Sequence, residues 1–149
     1  MSNNKQSSVD KEFVPYEEAL ALKELGFDEP CFAFFQVEYT ELLPTMVDDD
    51  EEYRLTGYRT CSNLEMPKNY TLAPTFSQAL RWFRERKLLG LVCPIDDWNS
   101  WSYSVQGEDC MSPFFQMVYC EEYKTYGEAE LACLKKLIEI VKEGKNENI

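Results

Sequence analysis

Apolar residues recur along this chain with two periods, and the changes of period mark its elements. In FVPYEEALALKELGFDEPCFAFF, Phe13 to Phe35, residues Ala19, Leu22 and Leu25, with Leu20, fall near i, i+3, i+6 and form one helical stripe. Pro15 suits a first helical turn, Glu17 and Glu18 complement the positive end of the helix, and Gly26 followed by Phe27 supplies a left-handed stop. These signals predict a helix from about Pro15 to Leu25. Asp28, Glu29 and Pro30 cannot continue it, and CFAFFQVEY then alternates at Phe35, Val37 and Tyr39 as a strand does.

YRLTGYRT, Tyr53 to Thr60, predicts a second strand antiparallel to the first. After a loop containing Pro67 and Pro74, TFSQALRWFRERKL predicts a helix capped by Thr75, with Phe76, Ala79 or Leu80, Phe83 and Lys87 along one face. LLGLVCPI, Leu88 to Ile95, reads as a buried strand ended by Pro94. Asn99 and Ser100 read as a turn centre leading into alternating Trp101, Tyr103 and Val105, and PFFQMVYC, Pro113 to Cys120, as a last strand. In TYGEAELACLKKLIEIVKEG, Thr125 and Glu128 make a capping box, Leu131, Leu134, Leu137, Ile138 and Val141 make an apolar stripe, and Gly144 offers a stop.

The predicted fold is α+β: a single antiparallel sheet of about five strands with three helices, in the order α-β-β-α-β-β-β-α. Short spacings between the last strands leave no room for parallel crossovers, and the single-striped helices should lie mainly on one face. Residues 1–12 read as a flexible tail, 13–144 as one domain and 145–149 as a second tail.

Charge narrows the functions open to such a domain. The net charge is -12, and residues 1–57 hold 14 acids against 4 bases. Such a field repels phosphates and anionic lipid, which disfavours broad nucleic-acid or membrane binding. The acids peak at Asp48, Asp49, Asp50, Glu51 and Glu52, a block that self-repulsion keeps solvated; it lacks the glycine of a calcium loop. The chain has no histidine, which removes the commonest general base and metal ligand, and no phosphate-cradling or nucleophile-elbow motif occurs. No cofactor or metal is therefore expected. Asp96 and Asp97 could form a carboxylate pair, but adjacent strand residues point to opposite faces and a turn explains them as well.

Two further groups carry possible recognition. Trp98, Trp101 and Tyr103, where exposed, would make an amphipathic platform for a protein partner. Arg81, Arg84 and Arg86 could hold a phosphate if they converged, although a solvated helix face paired with the protein's own acids accounts for them too.

The segments FVPYEEALALKELGFDEPCFAFF, LAPTFSQALRWFRERKLLG and TYGEAELACLKKLIEIVKEG together resemble a set of small proteins encoded by phages and prophages of gut Bacteroidetes. The resemblance spans most of the chain and implies an accessory protein acting in the bacterial cytoplasm; the acidic Val47 to Tyr53 segment is less typical of the set. The function expected is non-enzymatic binding of a host or phage protein. The alternatives are an acidic imitation of DNA that blocks a nucleic-acid-binding enzyme, and a binder of a nucleotide-like ligand.

Cys31, Cys61, Cys93, Cys110, Cys120 and Cys133 lie in apolar or strand-like contexts with no C-x-x-C pair, and MSNNKQSSVDKEF lacks the apolar core of a secretory signal. The cysteines therefore read as small, buried, reduced thiols. Thiol titration of denatured, non-reduced protein should count all 6 cysteines as free; two or more stable disulfides in freshly prepared protein would contradict both the packing and the compartment.

Overall fold

The computed structural model describes residues 10–36, 41–44, 70–107, 116–118 and 121–147. The chain divides into two units, Met1–Thr75 and Phe76–Ile149. In the first, a 3-10 turn at Asp10–Glu12 precedes helix α1 (Tyr16–Glu24). Pro15 stands before the helix in extended conformation, and its carbonyl accepts a bond from the Ala19 N–H at 2.9 Å. The helix ends as the Gly-Phe pair predicts. Gly26 takes φ 101, its N–H donates to the Lys23 carbonyl, and the Phe27 N–H donates to the Leu22 carbonyl at 2.9 Å. Ala19, Leu22, Leu25 and Phe27 are buried.

Strands β1 (Ala33–Gln36), β2 (Glu41–Pro44) and β3 (Tyr70–Ala73) form an antiparallel sheet in the order β2-β1-β3, and α1 packs against β3. β1 is the centre: Phe34 pairs with Leu43 on one side and with Leu72 on the other. Leu72 and Ala73 are buried, and a bridge between Phe13 and Thr75 ties the lead-in of α1 to the end of β3. The segment predicted as strand from Tyr53 to Thr60 lies outside the described residues.

The second unit reads α-β-β-β-α. Helix α2 (Phe76–Glu85) buries Phe76, Ala79, Trp82 and Phe83, so the predicted face is present with Trp82 added, while Lys87 lies past the helix at φ 66. Strands β4 (Leu88–Ile95), β5 (Ser100–Gly107) and β6 (Gln116–Val118) form an antiparallel meander. Helix α3 (Tyr126–Glu147) packs on β4 and β5, and α2 packs on β4 and on α3.

The expectation of a single sheet of about five strands is thus corrected. The described strands form two separate antiparallel three-stranded sheets. The reason is β3, which the prolines 67 and 74 disguise as loop: by pairing with β1 it completes the first sheet without any strand from beyond α2. Two readings of single elements also change. β4 is not buried along its length, since Leu91 and Cys93 are exposed. Gly144 does not stop α3, which keeps helical backbone to Glu147, because a glycine ends a helix only where the chain turns left-handed.

The α3 cap forms with one change of partner. The Glu128 N–H donates to Thr125 Oγ1 at 3.1 Å, and the Glu128 carboxylate accepts from the Lys124 N–H at 3.1 Å, one residue before the cap. Leu134, Leu137 and Ile138 are buried as expected, and Ala129 and Cys133 join them; Leu131 and Val141 lie half-buried at the margin.

α3 sits close to the sheet because β4 carries Gly90 beneath it. A Cβ at Gly90 would lie 2.6 Å from Cys133 Sγ and 3.0 Å from Leu137 Cδ1, both buried. Gly90→Ala should therefore cost about 1–3 kcal/mol by overpacking. In urea melts, adding Cys133→Ala to Gly90→Ala should recover part of that loss, so the two changes couple with a favourable interaction. Simple additivity of the two losses would show that α3 does not rest on Gly90.

Candidate functional site

The β4–β5 hairpin turns over Asp96–Asn99, between the paired residues Ile95 and Ser100, two residues earlier than the centre expected at Asn99 and Ser100. The Asn99 N–H closes it by donating to the Asp96 carbonyl at 3.0 Å. Asp96, Asp97 and Trp98 stand at φ 51, 51 and 71. Positive φ at both central residues is the geometry of the primed hairpin turns, which match the twist of the flanking strands and favour Asn and Gly. Here Asp97, a residue type such turns accept, takes the first position, and Trp98 takes the second, where left-handed backbone costs about 1–2 kcal/mol.

Trp98 is 71% exposed. Its ring meets Trp101 edge to face, centroids 5.6 Å apart at 83°, and Trp101 meets Tyr126 in the same way at 5.2 Å and 87°. Trp101 is half-buried and Tyr126, the first residue of α3, is exposed. The backbone fixes Trp101 further: it exchanges two hydrogen bonds of 2.8 Å with Tyr123, one in each direction. Tyr103, two residues along the same face of β5, is only 7% exposed and lies 6.1 Å from the Tyr123 ring. Of the three aromatics singled out in the sequence, Trp98 and Trp101 thus reach the surface together, whereas Tyr103 belongs to the core beneath them.

Carboxylates border these rings. Tyr123 donates its hydroxyl to Glu121 Oε2 at 2.7 Å, and this hydrogen bond is the chief cause that pushes the phenol up to about 12. Tyr126 is raised too, first by burial and then by Glu130. Both hydroxyls stay protonated at neutral pH, so the patch offers aromatic faces and carboxylate oxygens rather than a reactive phenolate. Tyr123 and Tyr126 escape a reading of the sequence because one precedes the helix cap and the other follows it, and neither position shows what it lies against.

The other candidates fall elsewhere. Asp48, Asp49, Asp50, Glu51 and Glu52 lie outside the described residues. Arg86 is held over the Trp82 ring at 3.6 Å and donates to the Trp82 carbonyl at 3.1 Å, which satisfies the C-terminal end of α2. Arg81 lies 3.9 Å from Glu85 on the exposed side of that helix. Among the described residues, no group of three His, Cys, Asp or Glu side chains could hold a metal ion.

The described cysteines, Cys31, Cys93 and Cys133, are free thiols; Cys31 and Cys133 are buried and Cys93 is exposed, against the expectation that all are buried. Burial, followed by Glu29 and Asp28, pushes the Cys31 thiol up to about 12, and its Sγ donates to the Glu29 carbonyl at 3.3 Å. It is a packed thiol, protonated at neutral pH. No described helix is long and apolar enough to cross a membrane.

No family model, curated protein or solved structure matches the chain. The aromatic patch at the hairpin turn therefore carries the functional argument on its own chemistry.

Trp98 is exposed and strained, whereas Tyr103 is buried. Trp98→Asn, which suits left-handed backbone, gives up an edge-to-face contact of about 0.5–1.5 kcal/mol and relieves a strain of similar size. Its stability should stay within about 1 kcal/mol of the parent, while Tyr103→Ala loses about 3–5. Comparable losses in thermal or urea melts would make Trp98 a structural anchor instead of a surface feature.

Proposed function

We propose that the chain is a non-enzymatic accessory protein of a phage or mobile element, acting in the bacterial cytoplasm, and that it docks a protein partner on Trp98, Trp101 and Tyr126. One observation carries the reading: a large aromatic residue is held out in solvent on backbone that disfavours it. Packing does not account for Trp98, since most of its surface is wet. Turn chemistry does not account for it either, since Asn or Gly would suit φ 71 better. Strain kept at an exposed position is a feature of functional surfaces, where the residue's use offsets its local cost. Aromatic side chains with a polar edge are also the residues that anchor protein interfaces. The host and phage context rests on the resemblance of the three sequence segments.

The test is photocrosslinking from the patch. A p-benzoylphenylalanine at position 98 should capture a discrete protein in lysate of infected host cells, and the same group at Lys142, on the exposed side of α3, should not. The capture should disappear when Trp101→Ala and Tyr126→Ala are added. Equal capture from both positions, or none from position 98, would remove the patch as a docking site.

A further inference from the structure

We infer that the partner segment this patch receives is basic, with an arginine or lysine side chain laid against the exposed rings of Trp98 and Tyr126. The inference rests on the docking role proposed for the patch and specifies its chemistry. Three observations lead to it. First, two exposed rings flank Trp101, each perpendicular to it, so neither is stacked face to face on it and both leave ring surface to solvent. A π face carries the negative end of the ring quadrupole, and its strongest polar complement is a cation.

Second, the stretch of chain that builds the patch is acidic. From Leu88 to Leu134 the chain holds eight acids and one base, Lys124. Asp96 and Asp97 lie in the turn itself, Glu121 is bonded to Tyr123, and Glu130 acts on Tyr126. A guanidinium seated on a ring there would also meet carboxylate oxygens, which adds charge-assisted hydrogen bonds to the ring contact. An acidic or phosphate-bearing partner would meet repulsion at the same place.

Third, the protein uses this pairing internally. Arg86 lies 3.6 Å above the Trp82 ring on α2, the contact proposed for a partner's arginine on Trp98. An apolar partner would satisfy the rings and leave the carboxylates desolvated and unpaired, which selects against it.

The test uses the full chain and an alternating Arg-Gly octapeptide, read through the indole N–H resonances of the three tryptophans in heteronuclear NMR. The Trp98 and Trp101 resonances should move saturably, and that of Trp82, buried in α2 beneath Arg86, should not. The affinity should fall about tenfold in Trp98→Ala and fall again with added salt, as expected for a ring contact supported by charge. The Gln-Gly and Glu-Gly octapeptides should leave all three resonances in place. Equal shifts with Gln-Gly, or no saturable shift with Arg-Gly, would overturn the inference. If the octapeptide fails while crosslinking from position 98 still captures a protein, docking stands and the basic partner falls. If both fail, both readings fall.

Discussion

The second unit depends on one missing side chain. Gly90 leaves room on β4 for Cys133 and Leu137, and this lets α3 settle onto the sheet at a single register. Gly90 pairs with Val105 on β5, while the first residue of α3, Tyr126, reaches Trp101 near the start of that strand. From Tyr126 to Cys133 the helix rises about 10 Å, and from Trp101 to Val105 the strand rises about 13 Å, so α3 follows β5 in the same direction at nearly the same pace. The position of Tyr126 against Trp101 is therefore coupled to packing more than one helical turn away. An added methyl at Gly90 acts on the core first and on the aromatic patch through it.

A second constraint acts on the turn. The four-residue connection between Ile95 and Ser100 runs through left-handed backbone at three successive residues. Asp96 and Asp97 tolerate that backbone, whereas Trp98 does not, so at Trp98 the strand pairing and not the residue's own preference imposes the conformation. The full-length β4–β5 ladder supplies the energy that holds them. Exposure of Trp98 is thus built into the geometry: the tip of a hairpin projects from the sheet, and Trp101 inside the strand gives its ring one edge to rest on.

What the sequence made legible were the local devices. Gly26 and Phe27 close α1, Thr125 and Glu128 open α3, and the apolar stripes of α1 and α3 appear at the expected spacing, because each is decided by residues within one or two turns. Sheet membership is decided by residues far apart. β1 pairs with β3 across a long separation in sequence, and four residues lying between prolines 67 and 74 give no periodic signal of a strand. The same limit applied to the site. Trp98 and Trp101 stand out by residue type, the spacing of Tyr103 places it beside them although its face is covered, and only tertiary packing brings Tyr126 into the patch.

The acidity of the chain takes on a more specific meaning once this geometry is known. A net charge of -12 keeps copies of the protein apart, which counters the tendency of exposed indole rings to associate. That general repulsion cannot select a partner, because salt screens it over about 8 Å under physiological conditions. Selection needs charge at contact distance from the rings, and the carboxylates of the Asp96–Asp97 turn, Glu121 and Glu130 are tied to the same backbone and helix that place Trp98, Trp101 and Tyr126. Rings and carboxylates are therefore positioned by one structural unit, so a partner docked there as proposed would have to satisfy both kinds of group at once, and a cation carried on a flexible apolar stem would do so with a single side chain.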